Sequence, residues 1–496
     1  MRRRVVRMAL LASAISLGAG LGAAPAAADT LREALTEAYY NNPTLQAARA
    51  SQRAADENVP IQKAAGRPGA SATAQHIEFL RQAATSFTAP SRVSAIGVDL
   101  SVPIYSGGAV KNAVRAAETR VGAGKADLRG TESAIFTNVV AAYMDVLRNQ
   151  AIVGLTANQV EVLSVNLQAT SDRFEIGDLT RTDIAQSQSR LAVAQSDFQS
   201  AQSNLISARE TYIQLVGASP DDLEPPPPLP GLPDSAMGAM EVALGNNPDL
   251  IAARERADAS ELDINVAGAG RLPSVSLFAG ADYNNFLGSL GSFSGGNVSQ
   301  TTTAASAGVT VTIPLFQGGR PAALERQSQA NASAALERLI AAEREVIATV
   351  RASYASWQAA NGIIESSQIA VAAAELGLEG VRAENTVGNR TILDILNAEQ
   401  ELLSARVQLV TARRNAYVAG FSLLAAMGRA EARDLGLADA ALLYDPQVNF
   451  DRVQGKWFDW DRDANPIPQS TRTIDIPAPG PDIEVEIPIT DDSQTN

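Results

Sequence analysis

The chain has 496 residues, of which 46% are apolar and only 5% are aromatic. Its formal net charge of −14 argues against nucleic acid as a partner, because phosphate binding needs a basic face. The sequence has no cysteine and one histidine, His76, which excludes thiol chemistry and most metal sites. His76 lies in a polar run with no serine–acid pattern around it, so we interpret it as a surface residue. We therefore expect no enzyme, no metal site and no cofactor.

Residues 1–28 have the three parts of a secretory signal peptide. Four arginines come first, a short apolar stretch follows, and small residues precede Asp29. A membrane-anchoring helix is the alternative, but the apolar stretch is short and rich in glycine and alanine. Because later stretches lack the apolar run that a membrane-spanning helix needs, we expect the exported chain to enter a membrane only through strands.

Helical and strand-like patterns follow in order. Residues from Leu31 to about Ala65 are helical in pattern. Residues 71–79 then alternate weakly, and residues 96–104 alternate strictly between apolar and small or polar side chains. Strict alternation predicts a strand with one apolar face. The prediction for 71–79 rests on a much weaker pattern.

Heptad-spaced apolar residues predict two further helices, one from Gly108 to Gly177 and one from Gly177 to Gly217. At about 1.5 Å per residue, the first is about 100 Å long. The shorter helix and the N-terminal helical stretch, placed end to end, match that length. One long helix flanked by two stacked short ones would make a uniform tube wall.

The second half of the chain repeats the first. Pro103 and Pro314 are 211 positions apart, as are Gly177 and Gly388. The phrase NNPTLQAARA also returns as NNPDLIAARE. This register predicts a tandem duplication, with repeats at 29–220 and 241–430 joined by a proline-rich linker at 221–240.

The second repeat contains two further alternating segments, at 275–283 and 309–315. Strands of about 9–11 residues suit a tilted span of a membrane. Half-buried strands of a soluble sandwich are the alternative, but hairpins between such long helices would have no soluble core to cover them. Four strands cannot close a barrel. Two chains would give eight strands and a filled lumen, whereas three would give twelve and a passage, so we predict a trimer.

The chain changes character after the second repeat. We expect residues 431–458 to form a C-terminal segment at the middle of the tube. Residues 459–496 are acidic and rich in proline, which is typical of a disordered tail. The run KWFDWDRDANP places two tryptophans among charges. The tryptophans either anchor the tail to the outside of the tube or lie on a mobile end without a contact.

The phrase that occurs in both repeats, IGDLTRTD and VGNRTILD, predicts a turn between helices. Gly177 and Gly388 can take the left-handed conformation that ends a helix. Threonine followed three residues later by aspartate is typical of a capping box that opens the next helix. Rotational copies of a tube would also arrange Asp183, Asp394 and Arg390 as rings of charge that favour cations.

Over about residues 29–450 the chain resembles the TolC family of outer-membrane efflux and export channels. The resemblance rests on the NNP phrases, on VPIYSGG and IPLFQGG, on IGDLTRTD and above all on VGNRTILDILNAEQELLSARVQLVTARRNAY. It implies a mainly α fold with β: tandem-duplicated coiled-coil hairpins and four transmembrane strands per chain. Three chains would form a twelve-stranded barrel in the outer membrane and a twelve-helix periplasmic tunnel.

The resemblance also implies site residues at the helical turns. Two positions depart from the best-known family pattern: Asn397 replaces a second ring aspartate, and Asn385 replaces a gate tyrosine, which implies a less negative constriction and a weaker lock. The remaining gate positions are Thr182, Asp183, Arg390 and Asp394. The turns that meet a periplasmic adaptor correspond to Ile176, Gly177, Asp178, Leu179, Thr180, Val387, Gly388, Asn389 and Thr391.

We therefore expect a passive exit duct in the outer membrane, extending into the periplasm. By the resemblance, its partners are an adaptor and an inner-membrane transporter, either an RND pump or an ABC exporter, and the transporter selects small molecules or polypeptides. The alternative is an exported coiled-coil spacer protein of the cell envelope, which explains the heptads and the signal peptide but not the paired strands.

Overall fold

The computed structural model describes residues 30–81, 89–220, 222–291, 298–437 and 442–478. The predicted signal peptide and the last part of the predicted tail, residues 479–496, lie outside these ranges. Within them, no helix is long and apolar enough to cross a membrane.

Both repeats contain short helices, a strand pair, a long helix and a helix of intermediate length. The first repeat comprises α1 (Leu31–Asn41), α2 (Pro43–Asp56), α3 (Asn58–Ala64), β1 (Gly69–Glu78), β2 (Arg92–Ser106), α4 (Ala109–Glu175) and α5 (Arg181–Val216). The second comprises α6 (Ala236–Asn246), α7 (Pro248–Gly268), β3 (Ser274–Asn285), β4 (Thr301–Thr312), α8 (Arg320–Thr386) and α9 (Ile392–Ala426). A further helix, α10 (Pro446–Val453), follows. The predicted duplication and the predicted helix lengths agree with this order, since α4 and α8 each have 67 residues.

The strands form one antiparallel sheet in the order β1-β2-β3-β4, so the two repeats join through β2 and β3. The weakly patterned segment at 71–79 is a strand, β1, paired with β2 from Gly69 opposite Ser101 to Glu78 opposite Arg92. One face of the sheet exposes a band of large apolar side chains: Ile96, Val98, Leu100, Val309 and Val311. Such a band is typical of strands that face lipid.

Two boundaries differ from the sequence-based expectations. The strand predicted to reach Leu315 ends at Thr312, because its partner β3 begins at Ser274, opposite Thr312, and Pro314 has no N–H to continue the ladder. The predicted linker at 221–240 overlaps α6, which begins at Ala236. Of the predicted tail, the structure describes residues 459–478, which contain no helix or strand, and Asp463 pairs there with Arg452 at 2.8 Å.

A hydrophobic core lies near the middle of the long helices, where side chains from α1, α4, α5 and α9 meet. Its largest fully buried members include Tyr143 and Tyr212. The Tyr143 hydroxyl donates to the Glu224 carbonyl at 2.6 Å, and Tyr354, its counterpart in the second repeat, donates to the Asp234 carbonyl at 3.1 Å. The linker is thus held against the core by matching tyrosines from both repeats.

The repeated NNP phrase makes the joint at which the short helices stack. Asn247 caps α7 through its side-chain oxygen, which accepts from the backbone of Asp249 and Leu250 at 3.0 and 3.1 Å. Its side-chain nitrogen donates to the Ala426 carbonyl at the end of α9, at 2.9 Å. Asn42 caps α2 and donates to the Leu215 carbonyl at 2.9 Å in the same way. One amide therefore begins one helix and binds the end of another.

Replacing Asn247 with Asp should keep the cap and break the joint, because a carboxylate cannot donate to the Ala426 carbonyl. An unpaired buried carbonyl costs about 1–3 kcal/mol, so the thermal midpoint of the purified protein, followed by circular dichroism, should fall. Asn389→Asp, on an exposed turn, serves as the matched control. If both variants melt at the same temperature, the side-chain amide does not hold the joint.

Candidate functional site

The two long helices end in matching turns at the end of the molecule away from the sheet. Gly177 and Gly388 have φ of +83° and +80°, the left-handed conformation that favours glycine. In the first turn, Asp178 N donates to the Arg173 carbonyl at 2.9 Å, and in the second, Asn389 N donates to the Glu384 carbonyl at 3.0 Å. These bonds close the ends of α4 and α8 in the manner of a Schellman motif.

Each turn is followed by the predicted capping box. The Asp183 carboxylate accepts from the Thr180 backbone at 2.8 Å and from its hydroxyl at 2.7 Å, while Thr180 Oγ1 accepts from Asp183 N at 3.4 Å. Asp394 and Thr391 repeat this arrangement, with distances of 2.9, 2.8 and 3.3 Å. The same two aspartates that were predicted to form charged rings are therefore also helix caps.

These hydrogen bonds keep both aspartates charged. The Thr180 hydroxyl and then its backbone N–H lower the pKa of Asp183, and the Thr391 backbone N–H and then its hydroxyl lower the pKa of Asp394. The caps are complete above the ordinary aspartate pKa of about 3.9 and weaken only as the pH falls through the lowered values. At neutral pH each turn therefore presents a carboxylate at a helix N-terminus, where the helix dipole favours negative charge.

The second turn holds Arg390 by contacts within the chain. Arg390 Nε pairs with Glu384 Oε2 at 2.7 Å, and the hydrogen bond to Glu384 raises the pKa of the guanidinium. Asn385, predicted to be a weak gate residue, donates from its side chain to the Arg390 carbonyl at 2.8 Å. In this single chain, Arg390 is therefore paired with Glu384 and not with Asp183.

The first turn has the same backbone but a different ion pair. Arg173 donates to Asp178 from Nε at 2.8 Å and from Nη2 at 2.6 Å. Arg173 and Glu384 occupy equivalent positions in the two repeats, so the charge at that position is reversed from one turn to the other. Ile176 and Val387, also equivalent, are 80% and 70% exposed at the tips. Both tips thus present an apolar residue beside an internal ion pair.

Contacts between the two hairpins lie just above the turns. Arg190 on α5 donates to the Asn397 side-chain oxygen on α9 at 2.8 Å, which gives Asn397 a partner in the other hairpin. Leu396 packs with Leu163 and Ala194 in a small buried cluster. Sequence reasoning missed this link. The heptad spacing predicts the helix that contains Arg190, but it does not indicate which polar side chain reaches the second hairpin.

Two long helical hairpins with charged turns, joined to a small sheet with an exposed apolar band, define a class of channel subunit. In this class the strands lie in a membrane and the helices extend from it. The profile of the outer membrane efflux protein family matches residues 34–218 and 239–429.

Individual relatives agree with this profile. The outer membrane efflux protein BepC of Brucella suis is 33% identical over 450 residues, which cover 90% of this chain and 96% of the relative. The outer membrane protein TolC of Vibrio cholerae is 27% identical over 424 residues, which cover 84% of this chain and 94% of the relative. The CmeC outer membrane channel of Campylobacter jejuni has the same fold, with a TM-score of 0.70 at 17% identity over 91% of this chain and 98% of that one.

The chain belongs to the outer membrane efflux protein family, the family of TolC. It is an export channel protein of the outer membrane that extends into the periplasm, as predicted from the motifs. The alternative prediction, a coiled-coil spacer, is wrong.

Proposed function

We propose that the chain works as a homotrimer that forms the passive exit duct of a tripartite export system. The main support is the sheet, in which β1 and β4 are edge strands and have a partner strand on one side only within this chain. An unpaired edge is costly in lipid, and closure into a barrel removes it. Three chains supply twelve strands, enough for an open passage.

The helices supply the periplasmic part of the duct. At about 1.5 Å per residue, α4 and α8 each reach about 100 Å from the sheet, so their tips lie deep in the periplasm. An inner-membrane transporter, an RND pump or an ABC exporter, delivers cargo there through an adaptor. The duct performs no energy-coupled step, and the transporter selects the cargo.

Purified mature protein should have the mass of three chains in detergent and give cation-preferring conductance steps in planar bilayers.

We attribute the cation preference of the channel to Asp394. Asp394→Asn keeps a side-chain oxygen for the cap but removes the charge, so its reversal potential should move toward that of an unselective pore. Asp178→Asn is the control. A monomer without conductance would contradict the duct, and an unchanged reversal potential in Asp394→Asn would place selectivity elsewhere.

The gate is proposed to close through Arg390, which bridges to Asp183 of the adjacent hairpin, beside Thr182, in the assembled tube. Two residues of the same chain compete with this bridge, because Glu384 holds the guanidinium and Thr180 binds one carboxylate oxygen of Asp183. The closed state therefore depends on a partner exchange between exposed ion pairs. Exposed pairs are individually weak, which suits a gate that must open.

Arg390→Ala should raise channel conductance, because it removes the bridge. Glu384→Gln should lower conductance, because it frees Arg390 to meet Asp183. Arg173→Ala, which removes the ion pair of the first turn, is the matched control and should change conductance little. Single-channel recordings compare the conductance of the three variants with that of the wild type. If Arg390→Ala and Arg173→Ala behave alike, Arg390 does not hold the gate.

The exposed tips are proposed to contact the adaptor. Ile176 and Val387 stand at equivalent positions in the two turns and remain largely exposed, although both are large and apolar. Exposed apolar side chains beside fixed ion pairs are suited to bind a partner. A trimer would present six such tips, three of each kind.

Ile176→Asp and Val387→Asp should each reduce export, measured as increased sensitivity to toxic compounds in a strain without the natural copy. Val448→Asp is the matched control, because Val448 on α10 is 67% exposed and Val387 is 70% exposed. Conductance of the purified variants should be unchanged, which separates docking from channel assembly. Export equal to wild type in both tip variants would contradict adaptor contact there.

A further inference from the structure

The segment that follows the second repeat runs toward the sheet. From α10 onward it lies along α2, α3 and the residues before β1, and each successive contact is closer to the first strand. These contacts are Asn449 to Asp56 at 2.6 Å, Lys63 to the Gln454 carbonyl at 3.5 Å, and Arg67 to the Lys456 carbonyl at 2.6 Å. Arg67 is two residues before Gly69, the first residue of β1. At about 3.3 Å per residue, the Arg67 backbone lies about 7 Å from the strand.

The chain then turns back toward the middle of the tube. Thr471 lies beside Gly217, at the end of α5, close enough that a Cβ atom on the glycine would be 2.9 Å from the threonine hydroxyl. Residues 457–460 are therefore the apex of an excursion that reaches the sheet end of the molecule and returns. We call residues 456–463 the apex loop.

Ion pairs hold the apex loop in shape. Arg452 pairs with both carboxylate oxygens of Asp463, at 2.8 and 2.9 Å, and Lys456 reaches Asp463 at 3.0 Å and Asp461 at 3.3 Å. The hydrogen bond from Arg452 and then that from Lys456 lower the pKa of Asp463 to about 2, so the pairs persist at neutral pH. The loop is thus braced at both ends by charged groups.

The braced loop presents aromatic side chains to the outside. Trp457, Phe458 and Trp460 are 55%, 80% and 85% exposed. The Arg67 guanidinium lies over the Trp457 ring, 4.7 Å from its centroid, which keeps that indole next to the residues before β1. Large aromatic rings exposed in this way are typical of a surface that binds a partner.

We infer that Trp457, Phe458 and Trp460 insert into the periplasmic leaflet of the outer membrane and anchor the helical part of the duct to its phospholipids. Tryptophan is enriched at membrane–water interfaces because its ring is apolar and its N–H is polar. Through Arg67 the loop contacts the chain just before β1, a strand that lies in that membrane.

Charge also favours a phospholipid interface over a strongly charged partner. The cations and carboxylates of the loop and its contacts nearly balance, so insertion of the rings, not attraction to anionic headgroups, supplies the affinity. The cations are Arg67, Arg452, Lys456 and Arg462, and the carboxylates are Asp459, Asp461 and Asp463. Lipid contact should therefore be insensitive to salt.

Tryptophan fluorescence tests the inference, because the chain has only three tryptophans. The third, Trp357, lies on α8 beside Tyr354, with ring centroids 5.9 Å apart, near the middle of the tube. The variant Trp357→Phe keeps the two tryptophans of the apex loop. The double variant Trp457→Phe/Trp460→Phe keeps only Trp357, which is far from the membrane. Both full-length mature variants are reconstituted into phosphatidylethanolamine–phosphatidylglycerol vesicles that contain brominated phosphatidylcholine.

Bromine near the headgroup end of the acyl chains should remove most of the Trp357→Phe emission, and bromine near the chain ends should remove less. The double variant should keep its emission with either lipid, and high salt should not change the pattern. Emission of Trp357→Phe that is indifferent to bromine would overturn the inference, whether it is red-shifted, as in water, or blue-shifted, as against a second copy of the chain. Equal quenching of both variants would also overturn it.

Discussion

A 67-residue helix cannot be covered along its length by one partner of half that length, and the whole architecture depends on how this constraint is met. In each repeat, a short helix and a helix of intermediate length stack end to end against the long one, and an asparagine joins them. Asn42 and Asn247 begin one helix while they bind the last carbonyls of another. Both joints lie at the middle of the tube, and the strands and the turns therefore lie at its opposite ends.

Duplication gives the two halves one backbone, but their charges differ. The turns share a left-handed glycine and a Thr–Asp capping box, which fix where each helix ends and the next begins. The ion pairs differ: Arg173 with Asp178 in one turn, and Glu384 with Arg390 in the other. The two tips therefore have the same backbone shape, but their side chains give them different surface charges. A ring built from such chains alternates two kinds of tip.

Local physics explains which features were predictable from the sequence. Heptad spacing predicted the lengths of α4 and α8, and the Thr–Asp spacing predicted the caps, because both depend on residues three to seven positions apart. The partner of Arg390 was not predictable, since Glu384, Asp394 and the Asp183 of a neighbouring hairpin compete for the same guanidinium. Nor was the Arg190–Asn397 link, which depends on how two separate hairpins are rotated against each other.

The C-terminal segment contains contacts that composition alone does not indicate. Acidic and proline-rich sequence is typical of disorder, but composition does not show that Asp463 pairs with Lys456 and with Arg452, which is 11 residues earlier. These ion pairs hold three aromatic rings in a loop that contacts Arg67, whereas an unbraced tail would lose more conformational entropy on placing them there. The first repeat also holds the loop in place, because Arg67, just before β1, binds both the backbone of the loop and the Trp457 ring. One side chain, Arg67, therefore joins the C-terminal segment to the start of the first strand.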